Sequence, residues 1–385
     1  MRFFLTALIF GAATAACAQG VQQGAKNAPQ FEPQWPTQTR APALDSGVDF
    51  TITELATNLD VPWGVEVLPE GGYLVTERSG QLRLIRDGVV GAPITGVPDV
   101  LAAGQGGLLD VALAEDFATS RVIYLSYAKR MPDNMSATAA ARGVLSADGS
   151  ALTDVRDIFV QSPPSPTTKH YGSRVVPLNG HVYITTGEHS SLAERVYAQD
   201  LDKTYGKVVR VTPNGEAASG NPFGTAVYTL GHRNVQGADV HPDTGALWTL
   251  EHGPRGGDEL NLIEAGANYG WPVVSYGIRY SGGDIGSGQS SGEGFTQPRY
   301  YWDPVIAPGG FAFYDGDMFA DWQGDVLASS LNPGGLVRLT LEGNRVSGEE
   351  RFLTGEMRVR DVEIDRDGAI LILDGAGGRL LRLSR

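Results

Sequence analysis

One hydrophobic phrase recurs along the chain: a turn residue, then apolar residues alternating with small or polar ones. It reads Gly72-Tyr73-Leu74-Val75-Thr76, Ser120-Arg121-Val122-Ile123-Tyr124-Leu125, Gly180-His181-Val182-Tyr183-Ile184, Gly245-Ala246-Leu247-Trp248, Gly324-Asp325-Val326-Leu327 and Gly368-Ala369-Ile370-Leu371. Such alternation is the mark of a strand, and the leading residue marks a turn. Several copies are answered by a second run, beginning at Gly80, Gly335 and Gly378, so each is a hairpin. Residues 48–385 shared among six copies give about 56 residues each, the length of a propeller blade with some long loops. No helical stretch of convincing length competes. The pattern therefore predicts an all-β fold, a six-bladed β-propeller of four-stranded antiparallel blades, closed so that few sheet edges stay open. Residues 49–55 are expected to complete the last blade and lock the ring.

Composition narrows the function classes. The 385 residues include 51 Gly and 22 Pro with 42% hydrophobic residues, a turn-rich globular chain without the composition of a disordered one. A formal net charge of -14 argues against nucleic acid or anionic lipid as the partner. Residues 1–18 read as a signal peptide: Arg2 gives the positive start, residues 3–13 a short apolar run, and Ala16-Cys17-Ala18 a small-x-small cleavage site. That run is too short for a membrane span, so the expected destination is the periplasm or the medium. Cys17 is the only cysteine, and cleavage after Ala18 leaves no thiol for a disulfide or a zinc site. Cleavage before Cys17 with lipid attached is the second option, disfavoured by Thr14 where an aliphatic residue is usual. Residues 19–47, rich in Gln, Pro and Ala, are expected to form a flexible lead-in to a single domain over 48–385.

The candidate chemistry lies in loops. Residues 251–271, EHGPRGGDELNLIEAGANYGW, crowd Gly253, Pro254, Gly256 and Gly257 against Asp258, Glu259 and Glu264. Exposed carbonyls beside carboxylates suit a hard cation such as calcium, although a solvated acidic turn has the same composition. Gly104-Gln105-Gly106-Gly107 reads as a tight turn around one amide side chain. His170, in Lys169-His170-Tyr171-Gly172-Ser173-Arg174, is a loop imidazole, either an ordinary surface residue or a general base. Glu188, in Thr186-Gly187-Glu188-His189, is a carboxylate that could orient it. Arg233 and Asn234 place a guanidinium beside an amide, suited to planar carboxylates or quinone oxygens. Arg358 and Arg360, two apart, point to one side of a strand and ask for an anion unless they form a solvated edge.

Taken together, GQGGLLD (104–110), HYGSR (170–174), GHRN (231–234), EHGPRGGDE (251–259), NYGWP (268–272) and RVRDV (358–362) resemble the soluble aldose sugar dehydrogenases that use pyrroloquinoline quinone (PQQ). The resemblance runs from about residue 61 to the C-terminus. It implies a six-bladed propeller that oxidises aldose sugars at C1 to lactones. His170 matches the catalytic base, Glu188 its supporting acid, and Arg233 a stabiliser of developing negative charge. Gln105, His170, Arg233, Asn234, Arg358 and Arg360 match cofactor contacts. The carbonyls of Gly253 and Pro254 match ligands of a calcium at the cofactor, and Glu259 and Tyr269 a second, structural calcium.

Departures are local. Asn332-Pro333 stand where glucose-oxidising members place a Lys against the cofactor, which bears on cofactor affinity. Tyr171 and Ser173 replace the more usual Phe and Gly. Loops 130–142 and 281–294 do not match, and are expected to shape substrate choice. The implied partners are an aldose and an external electron acceptor, with the protein acting as a monomer or a homodimer. Two other readings of a propeller with these loops are a calcium-dependent sugar lactonase, which needs several carboxylates converging on one ion, and a non-catalytic carbohydrate-binding module.

Overall fold

The computed structural model describes residues 20–385. Six four-stranded antiparallel sheets follow one another in sequence: blade 1 spans residues 62–93, blade 2 108–160, blade 3 172–230, blade 4 235–302, blade 5 311–352, and blade 6 359–384. Blade 6 supplies three strands of its own. Its fourth is Thr51–Ala56, paired antiparallel with Arg379–Ser384, so the first strand of the domain closes the ring on the last blade. Among the described residues the only helical pieces are one α-helical turn, Phe117–Ser120, and three short 3-10 turns.

Each of the six recurring phrases lies on the second strand of its blade, and the answering runs at Gly80, Gly335 and Gly378 lead into the third. The alternation means more than one buried face. Along Ile370–Asp374 every residue is buried; Ile370 and Ile372 pack toward blade 5, while Leu371 and Leu373 pack toward blade 1. A blade in a ring has a neighbour on each side, so both faces of its middle strands bury apolar groups. Six of the core clusters accordingly fill the gaps between neighbouring blades, one in each. A fully buried Leu or Ile contributes roughly 1.5–3 kcal/mol, so every gap is a substantial share of the stability.

The innermost strands meet around the axis, where polar groups replace the apolar ones. Arg174 of blade 3 binds Asp110 of blade 2 at 2.7 Å and Asp361 of blade 6 at 2.6 Å, and its Nε donates to the Gln236 carbonyl of blade 4. Asp361 also accepts the Val65 amide of blade 1 at 3.0 Å. Five blades are thus tied through one guanidinium. Trp63 lies beside it, its ring centroid 4.6 Å from the Arg174 Cζ.

Residues 20–47 correct an expectation, because they are packed and not a loose lead-in. Ala28 and Phe31 are buried against Tyr276 and Tyr301, and Ala41 joins the cluster between blades 4 and 5. Asp303 accepts the amides of Asn27 and Ala28 at 2.7 and 2.9 Å, Gln38 donates to the Pro298 carbonyl, and Ala43 forms a parallel backbone bridge with Glu349, whose carbonyl accepts the Leu44 amide. With no period of its own, the segment lies extended along blades 4 and 5 and borrows their partners. The expected signal peptide and Cys17 lie outside the described residues.

Candidate functional site

In an antiparallel blade the start of the first strand, the end of the second and the start of the third all lie at one end. Gln105, His170, Arg233, Asn234 and Arg358 precede first strands; Arg78, Glu188, Gly253 and Pro254 follow second strands. Chain direction alone therefore gathers them on one face of the ring. There a cavity of ≈ 220 Å³ is lined by Gln105, His170, Arg233, Asn234, Arg358 and Arg360, with Arg78, Trp63, Gln236, His252, Tyr280, Ala307 and Leu331 completing the wall. All six residues matched to the cofactor share that one cavity.

His170 sits at φ +46 on a turn that its neighbours hold in place. Its amide donates to Gln105 Oε1 at 2.8 Å, and Gly172, two residues on, donates to Asn234 Oδ1 at 3.0 Å. Both amide side chains spend their oxygens on this turn. Neither Nε2 of Gln105 nor Nδ2 of Asn234 finds a partner among the described residues, and each stays available to an acceptor in the cavity. Gly187 is required by close approach, since a Cβ there would run into the His170 carbonyl. The next residue, Glu188, places Oε1 2.7 Å from His170 Nδ1. With Nδ1–H donating to that carboxylate, Nε2 is left as the basic nitrogen. Burial pushes the His170 pKa well below its ordinary value, and the nearby cations Arg233, Lys169 and Arg195 push the same way. Burial raises that of Glu188, against the opposing pull of Arg233 and Arg195.

Arg78 was not singled out in the sequence. It reaches over from blade 1, donating to the carbonyls of Gly104 and Gly106, and brings the guanidiniums at this cavity to four with Arg233, Arg358 and Arg360. Burial and the charges of Arg174 and Arg78 push Arg360 down to about 9. A bound polyanion would relieve that penalty, and the donor set of four guanidiniums and two amides fits one. His252 was also missed as a wall residue, although it lies within the acidic motif.

Beside this cavity is a void of ≈ 10 Å³, the room of about one water-sized sphere, lined by Gly253, Pro254, Glu251, Glu259, Tyr269 and Trp271. Among the described residues the carbonyls of Gly253, Pro254 and Tyr269 accept no hydrogen bond. The Tyr269 hydroxyl is engaged with the Leu262 carbonyl and the Glu264 amide, which leaves its main-chain oxygen as the donor it could offer. Burial and the neighbouring Glu251 raise the Glu259 pKa well above the ordinary range. A carboxylate and unpaired carbonyls around a one-atom void make an oxygen donor set suited to a hard cation.

The other acids of the loop do not join them. Asp258 braces the turn, accepting the amides of Gly253, Ile306 and Ala307 at 2.7, 2.8 and 2.7 Å, and Glu264 pairs with Arg299. Glu251 is spent on His232, Asn261 and the Arg233 amide. Among the described residues no group of three or more His, Cys, Asp or Glu side chains is placed to hold a metal. That is not the converging carboxylate set a metal-water lactonase needs.

The sequence matches the profile of the family described as Glucose / Sorbosone dehydrogenase over residues 59–382. This chain belongs to that family. It is 43% identical over 344 residues to aldose sugar dehydrogenase YliI of Escherichia coli (strain K12), covering 86% of this chain and 91% of that one. Its fold is similar to the apo crystal structure of the soluble aldose sugar dehydrogenase from Escherichia coli, with a TM-score of 0.83 and 42% identity over 87% of this chain and 99% of that one. It is also similar to the PQQ-bound form of aldose sugar dehydrogenase from Streptomyces coelicolor, with a TM-score of 0.70 and 29% identity over 89% and 99%. The protein is therefore an oxidoreductase of the sugar dehydrogenase kind. The dehydrogenase contains no helix, among the described residues, long and apolar enough to cross a membrane.

Proposed function

We propose that this dehydrogenase oxidises aldoses at C1 to lactones with PQQ and calcium, and passes the electrons to an external acceptor. The observation that carries the reading is one cavity in which a Glu188-held imidazole faces four guanidiniums, next to a one-ion void lined with unpaired carbonyls. The tricarboxylate quinone fits the first, held by Arg78, Arg233, Arg358, Arg360, Gln105 and Asn234. Calcium fits the second, with Gly253, Pro254, Glu259 and Tyr269 offering oxygens. When bound, PQQ supplies the hydride acceptor and calcium the Lewis acid that makes it electrophilic.

The chain's own part is positioning and proton transfer. His170 Nε2 takes the proton of the C1 hydroxyl while the C1 hydrogen leaves as hydride, so the sugar loses two electrons and becomes the lactone. Glu188 holds the ring through Nδ1 and stabilises the imidazolium that forms. Arg233 stabilises negative charge that develops opposite the base. We place this chemistry outside the cytoplasm on the strength of the leader pattern in residues 1–18; N-terminal sequencing of material from the periplasm and medium, with Gln19 as the expected first residue, checks it. The decisive assay is purified protein with PQQ, calcium, an aldose and an artificial acceptor: acceptor reduction dependent on all four supports the reading, and no reduction despite bound PQQ rejects it.

A further inference from the structure

A second cavity, of ≈ 380 Å³, adjoins the first and shares Arg233 and Tyr280 with it. Its size falls in the range of small-molecule sites, about 300–1,000 Å³. Leu192, Arg195, Trp271 and Arg279 line the rest that matters here. Tyr280 stands at the mouth with 71% of its surface exposed, a free aromatic face of the kind on which the C–H side of a sugar ring packs.

Two guanidiniums in this cavity have nothing to bind. The side chains of Arg195 and Arg279 make no hydrogen bond and no ion pair among the described residues, in a chain whose acids outnumber its Lys and Arg by 44 to 30. Nε of Arg195 is buried without a partner. Arg195 is nevertheless held: its Cζ lies 5.5 Å from the Trp271 ring centroid, and the turn that carries it is pinned by Lys207 Nζ on the carbonyls of Tyr197 and Ala198 at 2.8 and 3.0 Å. The first cavity already offers four guanidiniums for three cofactor carboxylates, so these two are surplus to that group. An unspent planar donor on a fixed turn, Arg195, with a second from the loop carrying Arg279 in the same cavity, matches a carboxylate carried by the substrate.

We propose that this cavity is the subsite for the end of the sugar remote from C1, and that Arg195 and Arg279 select aldoses bearing a carboxylate there, the hexuronic acids. This rests on the dehydrogenase reading above and adds the substrate class. The carboxylate is neither formed nor consumed; it orients the ring so that the C1 hydroxyl meets His170.

The test uses the full chain loaded with PQQ and calcium, comparing kcat/KM for glucuronate with glucose, galacturonate with galactose, and glucose 6-phosphate with both. The expected result is a preference of about tenfold or more for the uronate, a ratio that falls about tenfold in Arg279→Gln and in Arg195→Gln and is partly kept in Arg279→Lys. A second readout needs no turnover: calorimetric binding of glucuronate to the PQQ-free, calcium-loaded protein should weaken with added salt and be lost in the Arg195→Gln, Arg279→Gln double variant. Oxidation of neutral aldoses with no uronate preference overturns this inference and leaves the dehydrogenase reading standing. A preference for the 6-phosphate over the uronate overturns the carboxylate assignment. Turnover of neither class overturns both.

Discussion

Glu188 Oε1 lies 2.7 Å from His170 Nδ1, across the gap between the end of the second strand of blade 3 and the turn that opens its first. Fixing one ring nitrogen leaves the other as base, so the two residues should fail in different ways. His170→Ala should lower kcat by about 10²–10⁴-fold and leave PQQ binding nearly intact, because a general base acts in the chemical step. Glu188→Gln keeps a partner for Nδ1 but removes the charge that stabilises the imidazolium, and should cost less. Stopped-flow reduction of bound PQQ by substrate checks both; wild-type turnover by His170→Ala would remove it from the base role.

The depressed pKa of His170 sets the pH behaviour. Its neutral, basic form should persist as pH falls through 6.5, so the acid limb of kcat/KM should lie well below that value. Stability moves with it. An unfolded His titrates near 6.5, whereas burial holds folded His170 and His252 lower, so between those points the unfolded chain binds protons that the folded one refuses. Their contribution is present above about pH 6.5 and is lost as pH falls toward the folded values. Burial raises Asp239 and Asp258 to about 7, which moves whole-chain stability the other way, so the check is differential: the wild type's advantage in urea midpoint over a non-titrating His252→Gln variant should be smaller at pH 5.5 than at 7.5.

Which parts of this were legible follows from how far each residue's role depends on its neighbours in sequence. The second strands announced themselves because both faces of a blade are buried, so their pattern is strong and local, as at Ile370–Asp374. His170, Glu188 and Arg233 stood out with their motifs and meet at one end because strand direction requires it. Arg78 and Arg195 carry no local signal; each is a lone cation whose role appears only when blade 1 reaches blade 2, or when the turn after Glu188 folds over Trp271. Asp258 looked like a cation ligand in sequence because nothing there reveals three amides waiting for its carboxylate. Residues 20–47 misled for the same reason, since their order comes from blades 4 and 5.

The four guanidiniums of the first cavity give a graded prediction for cofactor affinity. Hydrogen bonds to charged groups contribute about 1.5–3 kcal/mol, so Arg360→Gln or Arg78→Gln should raise the PQQ Kd by roughly 10- to 100-fold. Arg78 is the more informative change, because it came from the structure and matches no motif. Fluorescence titration with PQQ at fixed calcium measures it; an unchanged Kd in Arg78→Gln would place that side chain outside the binding set.

The oxygen-lined void predicts metal-linked stability. A cation that binds only the folded state at 100 times its Kd adds about 2.7 kcal/mol, so chelation should lower Tm and calcium should restore it. Glu259→Gln removes the one carboxylate facing the void that no hydrogen bond wholly occupies, and should shrink the calcium-dependent rise in Tm. Magnesium should restore less, since it demands shorter, stricter octahedral geometry and gives up water reluctantly. Calorimetric scans with calcium, magnesium or chelator distinguish these outcomes; identical Tm in all three would remove the cation from this void.

Arg174 is where the ring itself is most exposed to one substitution. Its guanidinium pairs with Asp110 and Asp361 and bonds the Gln236 carbonyl, and all three side chains are buried. Arg174→Ala leaves two carboxylates facing each other near the axis without a counter-charge, and breaking a buried pair from one side costs about 3–5 kcal/mol. The loss should be largest at neutral pH and smaller in mild acid, because burial already holds Asp110 near a pKa of about 6 and protonation there relieves the repulsion. A double change, Arg174→Met with Asp361→Asn, removes the charge mismatch as well as the cation and should recover part of the loss. Denaturant unfolding of the single and double variants at pH 7.5 and 5.5 decides it: equal destabilisation at both pH values, or no recovery in the double variant, would show that the guanidinium acts at the axis through packing against Trp63 and not through its charge.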